Sequence, residues 1–139
     1  GYYYTPHLIR QIGDEKLFFS DSNFYHKTLI DSSNFEIVHN GMQWVLERPG
    51  GTAGRSKLEG VTICGKTGTS QNPHGDDHSV FMAFAPRHNP KIALAVFVEN
   101  AGGGGGTAAP IASLMIEKYL KRRVERLKLE QEIVEKVFY

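Results

Sequence analysis

The apolar residues of this chain fall into two rhythms. From Asn34 to Arg48 they recur at spacings of three and four, at Phe35, Val38, Met42, Val45 and Leu46, which aligns them on one face of a helix that Pro49-Gly50-Gly51 ends. Farther on, three strand-like runs follow one another, Val61 to Thr69, Ser79 to Ala85 and Ile92 to Glu99. Their separators, Gln71-Asn72-Pro73-His74-Gly75-Asp76-Asp77 and Pro86-Arg87-His88-Asn89-Pro90, are rich in turn-forming residues and too short for a crossover helix, which predicts an antiparallel meander. The third run, Ile92-Ala93-Leu94-Ala95-Val96-Phe97-Val98, is apolar throughout instead of alternating. That is the pattern of a strand covered on both faces, so it is expected at the centre of a sheet.

The other segments complete an α+β arrangement, a three-stranded meander flanked by helices. Thr5 as cap and Pro6 in the first turn predict a helix through His7, Leu8, Ile9, Arg10, Gln11 and Ile12, stopped by Gly13-Asp14. Leu17-Phe18-Phe19 is read as irregular or briefly extended, and the Gly-rich, polar stretch from Thr52 to Gly60 as a surface loop. After the five glycines Gly102 to Gly106, Thr107-Ala108-Ala109-Pro110 opens a helix whose apolar positions are Ile111, Leu114, Met115, Tyr119 and Leu120. Beyond Lys121 charges dominate, yet Val124, Leu127, Ile133, Val134 and Val137 keep a helical rhythm without a strict heptad; this tail, 121–139, is either a continuing helix or one that seeks a partner.

Composition narrows the function classes. A length of 139 residues with 40% hydrophobic content allows one modest core. Sixteen basic against fifteen acidic residues leave a formal charge of +1, without the electrostatic footprint of a nucleic-acid binder. The cluster Lys121, Arg122, Arg123 and Arg126 is interleaved with and followed by Glu125, Glu130, Glu132 and Glu135, as on a solvated helix face. The one cysteine, Cys64, can form no intramolecular disulfide and has no zinc-ligand spacing around it. No run approaches the ~18 apolar residues of a membrane span. The opening Gly1-Tyr2-Tyr3-Tyr4-Thr5-Pro6 lacks an initiator Met and an export signal, and the expectation is a piece of something longer.

Gly65-Lys66-Thr67-Gly68-Thr69 carries the chemistry. Lys-Thr-Gly alone is a short match, and its structural alternative is a strand ending in a glycine turn. Here it lies on a predicted strand, followed by a turn, two more antiparallel strands and a helix, the setting in which serine penicillin-recognising enzymes use it. Tyr3-Tyr4-Thr5-Pro6-His7-Leu8, the segment Gly60 to Gln71, Asp77 to Pro86, Asn89-Pro90-Lys91-Ile92-Ala93, and Val98 to Gly102 with Ala109-Pro110-Ile111-Ala112 extend the likeness. Together they resemble class B penicillin-binding proteins, and within that class the penicillin-binding protein 2 group, over about Tyr3 to Leu120.

The resemblance implies the penicillin-binding protein and serine β-lactamase-like transpeptidase fold, with 1–120 as the C-terminal portion of the transpeptidase domain and 121–139 as a charged tail. It also implies a peptidoglycan D,D-transpeptidase that cross-links cell-wall stem peptides through a serine acyl-enzyme, binds β-lactams and needs no cofactor or metal. Such an enzyme is anchored in a bacterial cytoplasmic membrane with this domain outside, and serves cell shape. By similarity, Lys66 brings positive charge to the substrate carboxylate and hydrogen-bonds the serine of a Ser-x-Asn motif. The hydroxyls of Thr67 and Thr69 donate to that carboxylate, the backbone N–H of Thr69 is half of an oxyanion hole, and Gly65 and Gly68 allow the ligand a close approach. The glycine run becomes a flexible link from the last strand to the C-terminal helix.

One departure matters. None of Ser20, Ser22, Ser32, Ser33, Ser56, Ser70, Ser79 and Ser113 has a Lys three positions on, so the Ser-x-x-Lys nucleophile is expected upstream of this sequence and the chain alone is expected to be inactive. Ser32-Ser33-Asn34 fits Ser-x-Asn by letter but precedes a helix, and is read as cap chemistry. The glycine run lacks the Gly-Lys-Ser/Thr ending of a nucleotide loop. His74, His78 and His88 with Asp76 and Asp77 are read as turn and strand-start residues, and Trp44 with Tyr2 to Tyr4 as core and packing residues. With its outer neighbour missing, the 92–98 strand is expected to pair with a second copy of the chain. The rival reading is a stand-alone α/β interaction module whose Lys-Thr-Gly is structural.

Overall fold

A computed structural model describes residues 1–9, 11–16 and 25–136. They form two compact units, Gly1–Ile37 and Val38–Tyr139. In the first, β1 (Tyr2–Tyr4) pairs antiparallel with β4 (Tyr25–Lys27), and β2 (Gln11–Ile12) with β3 (Glu15–Lys16). The helix expected over 5–12 is therefore absent: residues 5–9 are irregular, and Gln11 and Ile12 are the first arm of a hairpin. The reason is Gly13-Asp14, a two-residue turn with Gly13 at φ 58°, which suits a hairpin turn as well as it suits a helix stop. Leu17-Phe18-Phe19 lies outside the described residues.

Tyr2 to Tyr4 pack, but not in a core. Tyr2 stacks on Tyr25 at 5.2 Å and Tyr3 on His26 at 4.9 Å, while all three tyrosines stay exposed. Trp44 is exposed too, with the Arg48 guanidinium over its ring.

The helix expected over 34–48 is α1, Ser32–Glu47. Asp31 precedes it and accepts the backbone N–H of Ser33 at 2.8 Å on Oδ1, the usual cap bond. Of its apolar face, Leu46 is buried, Phe35, Met42 and Val45 are half-buried, and Val38 is exposed.

The meander is present as β5 (Cys64–Ser70), β6 (His78–Ala85) and β7 (Ile92–Val98) in the order β5-β6-β7, antiparallel throughout. The expectation that 92–98 is central is wrong within this chain. Three strands joined by two short turns must put the second in the middle, so β6 is central and β7 is an edge. Ile92, Leu94, Val96 and Val98 are half-buried, whereas Ala93, Ala95 and Phe97 face solvent.

One face of the sheet is covered by α2 (Ala108–Lys121), which touches β6 and β7. Ala108, Ala109 and Ala112 are fully buried, and their small side chains let the helix lie close to Phe81, Ala83 and Ala85. The buried stripe is thus Ala108, Ala109, Ala112, Leu114 and Ile116, while Met115 and Tyr119, two residues expected on the apolar face, are exposed. On the other face, His39 of α1 meets Phe84 edge-on at 5.2 Å.

The stretch from 52 to 60 is not a plain surface loop. It contains a 3₁₀ turn, Gly54–Ser56, and buries Ala53, Ser56 and Leu58. The tail neither continues α2 nor leaves the unit: Arg122 takes a left-handed conformation at φ 64° and ends α2, and α3 (Leu127–Val134) folds back against it. Arg126 Nε donates to the buried Glu117 carboxylate at 3.0 Å and Arg126 Nη1 to the Lys57 carbonyl at 3.2 Å, and Arg55 pairs with Glu132.

Candidate active-site strand

Among the described residues β5 has a neighbour on one side only, so alternate backbone groups along it point to a free edge. Its register sets Lys66 opposite Met82, Thr67 opposite Phe81, Gly68 opposite Val80 and Thr69 opposite Ser79. Strand alternation then divides the motif: Lys66 and Gly68 share one face with Met82 and Val80, and Thr67 and Thr69 share the other with Phe81 and Ser79. Lys66 is exposed, and its Nζ donates to the Thr67 carbonyl at 2.6 Å. Thr69 is exposed and Thr67 half-buried. A charged group on one face, two hydroxyls on the other and the free edge between them are therefore carried by four consecutive residues of β5.

What holds this strand lies behind it. A Cβ on Gly65 would stand 2.3 Å from Cζ of the fully buried Phe81, so the ring lies directly against the Gly65 backbone. The glycine run is equally tight. A Cβ on Gly104 would be 2.1 Å from the Val80 carbonyl and 2.6 Å from that of Gly68, and one on Gly105 would be 2.0 Å from the Thr52 carbonyl. The run is thus a close-packed seat beneath Thr67 to Thr69, not simply a flexible link.

Ser79 fastens that seat. Fully buried opposite Thr69, it donates to the Gly103 carbonyl at 3.1 Å and accepts the Ala108 N–H at 3.0 Å, which ties β6 to the loop and to the first turn of α2. Thr52 completes the surroundings, its Oγ1 lying 3.0 Å from Oγ1 of Thr67. Thr52, Ser79 and Gly104 carried no signal in the sequence. Each acts through a partner at least 15 positions away, 15 for Thr52, 24 for Ser79 and its bond to Gly103.

The histidine and aspartate residues between β5 and β6 behave as turn chemistry. Asp77 accepts the Asn72 N–H at 3.2 Å, and the Asn100 N–H donates to Nδ1 of His78, the first residue of β6. Among the described residues no group of three or more His, Cys, Asp or Glu side chains is placed to hold a metal. Cys64 is buried, with its Sγ 3.6 Å from the His39 carbonyl. A groove of about 860 Å³ lies among Ile92, Leu114, Met115 and Tyr119, and none of its lining residues belongs to β5.

The penicillin binding protein transpeptidase domain family matches residues 1–117. The peptidoglycan D,D-transpeptidase MrdA of Haemophilus influenzae is 30% identical over 146 residues, covering 88% of this chain. The peptidoglycan D,D-transpeptidase PbpA of Mycobacterium tuberculosis is 41% identical over 78 residues, 48% of this chain. Among solved structures, Pseudomonas aeruginosa PBP2 in complex with WCK 5153 superposes on 90% of the chain with a TM-score of 0.70 at 34% identity. The chain spans 22% and 16% of the length of those two relatives and 28% of that PBP2 chain. A stand-alone interaction module does not account for a likeness that runs through the β5-β6-β7 sheet and α2 together, and the chain belongs to the penicillin-binding protein transpeptidase domain family.

Proposed function

We propose that this chain forms the Lys66-Thr67-Gly68-Thr69 wall of the active site of a peptidoglycan D,D-transpeptidase that cross-links stem peptides through a serine acyl-enzyme and is acylated by β-lactams. The nucleophile, which this sequence does not contain, comes from another part of that enzyme, so the chain alone has no transpeptidase activity. The enzyme is anchored in a bacterial cytoplasmic membrane and works outside it. Residues 1–120 are the C-terminal portion of the domain, and 121–139 are its charged tail.

In this reading Lys66 supplies positive charge beside the substrate carboxylate and a hydrogen bond to a serine of the absent Ser-x-Asn motif, which helps a proton reach the leaving group. Thr67 and Thr69 donate hydroxyl hydrogen bonds to the carboxylate. The Thr69 N–H stabilises the charge that develops on the carbonyl oxygen as the serine attacks, together with the N–H of that serine. Gly68 leaves the strand without a side chain where the substrate backbone lies alongside it.

The observation that carries the reading is the exposed Lys66 on a free-edge strand whose two threonines are backed by the Phe81 ring and the glycine seat. By itself the chain has an open β7 edge with Ala93, Ala95 and Phe97 exposed, and a second copy pairs there. The direct test is Lys66→Ala in the complete enzyme. Acylation by a β-lactam should slow at least about tenfold, because a charge-assisted contact contributes roughly 1.5 kcal/mol or more. Labelling of the complete enzyme but not of this chain alone is the companion result. Unchanged acylation by Lys66→Ala refutes the assignment.

A further inference from the structure

We infer that Thr52 is a positioning residue for Thr67: it donates its hydroxyl hydrogen to Thr67 and so turns the Thr67 hydrogen toward the substrate carboxylate. The inference rests on the assignment of Thr67 to that carboxylate. The two Oγ1 atoms are 3.0 Å apart, a hydrogen bond in which either threonine can donate. A hydroxyl has one hydrogen to give and lone pairs to accept with. If Thr67 gave its hydrogen to Thr52, it would present only lone pairs to an anion. Only the opposite arrangement, Thr52 donating to Thr67 and Thr67 to the carboxylate, satisfies all three groups, and each bond in such a chain polarises the next.

The backbone around Thr52 is built to hold it there. On one side, the Gly51 N–H donates to the Arg48 carbonyl at 2.8 Å, and a Cβ on Gly51 would lie 2.6 Å from the carbonyls of Trp44 and Val45. On the other, the buried Ala53 donates its N–H to the Val45 carbonyl at 2.9 Å. Gly105 lies against the Thr52 carbonyl itself, close enough that a Cβ would be 2.0 Å away, and that Cβ would also be 3.8 Å from Cγ2 of Thr67. The last turn of α1 and the glycine seat thus fix the exposed Thr52 from two directions while its hydroxyl reaches the motif. A hydroxyl carried on a backbone held in this way can impose a direction on its partner.

The experiment uses the complete enzyme and the rate of acylation by a β-lactam that carries a free carboxylate. Thr52→Val keeps the shape and removes the hydroxyl, Thr52→Ser restores it, and both are made with and without Thr67→Val; Lys66→Ala is measured alongside. Thr52→Val is expected to slow acylation roughly fivefold, the size of one ordinary hydrogen bond. Thr52→Ser should recover most of that rate, and Thr52→Val should add little once Thr67 is already valine. If Lys66→Ala is slow while Thr52→Val matches the wild type, the role of Thr52 is refuted and the motif assignment stands. If Lys66→Ala has no effect, the assignment itself has failed. A Thr52→Val defect that adds in full to that of Thr67→Val, or that Thr52→Ser does not rescue, makes Thr52 a packing residue and overturns the inference. Thr52→Ala replaces Thr52→Val in the same cycle if the valine variant loses thermal stability.

Discussion

The tip of the Phe81 ring lies against the backbone of Gly65, so close that a methyl group on Gly65 would stand 2.3 Å from Cζ. The contact joins the middle strand of the sheet to the strand that carries Lys66, one position before it. Gly65→Ala is therefore expected to destabilise the protein by about 1–3 kcal/mol, since a fully buried ring has nowhere to move without strain. Denaturant unfolding of the variant beside the parent sequence measures it, and equal midpoints would show that the ring yields freely.

The glycine seat predicts a pattern across its own residues. Gly104→Ala and Gly105→Ala should each be costly, because their Cβ atoms would meet backbone carbonyls at 2.1 and 2.0 Å. Gly103→Ala and Gly106→Ala should be nearly silent, because the nearest atoms lie at 3.8 and 3.6 Å. A melting-temperature comparison of the four variants separates this seat from a flexible link, which would tolerate all four alike.

Glu117 is 1% exposed and receives Arg126 Nε at 3.0 Å, so the tail is joined to α2 by a mostly buried ion pair. Removing Arg126 alone leaves an uncompensated buried carboxylate, and Arg126→Met should cost about 3–5 kcal/mol. Glu117→Leu combined with Arg126→Met should cost less than Arg126→Met alone, since the desolvated charges are then both gone. Equilibrium unfolding of the single and double variants decides it, and a double variant less stable than the single would contradict this account.

Asp31 responds to pH at the start of α1. The Ser33 hydroxyl, and after it the Ser33 backbone N–H, hold its carboxyl below the ordinary aspartate range. A depressed folded-state pKa means that the cap contributes fully above the unfolded value and is lost as pH falls through the folded one. A carboxyl-carbon NMR titration should give an Asp31 midpoint below that of an unstructured aspartate, and Ser33→Ala should raise it. An Asp31 midpoint at the unstructured value would remove the cap from the account.

The open β7 edge predicts concentration-dependent association of the isolated chain. Sedimentation over a wide concentration range should show dimers, and a charged substitution such as Ala95→Lys, on the exposed face of β7, should weaken them. A chain that stays monomeric throughout would rule out edge pairing without touching the family assignment.

The three strands and α1 were legible because their signals are local. Runs of β-branched and aromatic residues between turn clusters, and one spacing of three and four, report on backbone conformation over a few residues, and β5, β6, β7 and α1 formed within a few positions of where those signals lie. The Lys66 motif was legible for the same reason, as adjacent letters on one strand. The 5–12 segment shows the limit: Thr5-Pro6 favours a helix and Gly13-Asp14 a hairpin, and pairing of Gln11 with Lys16 decided between them.

What the chain determined by itself is therefore the identity and order of α1, β5, β6, β7 and α2 and the motif residues that β5 carries. Tertiary structure alone decided which strand became an edge, which glycines of 102–106 were crushed against the sheet, that Ser79 is a buried fastener, and that Thr52 reaches Thr67. The physical reason is range. Secondary structure follows from torsional preference and periodicity between neighbours, whereas close packing and hydrogen bonds between residues 15 or more positions apart exist only after the sheet and α2 have come together.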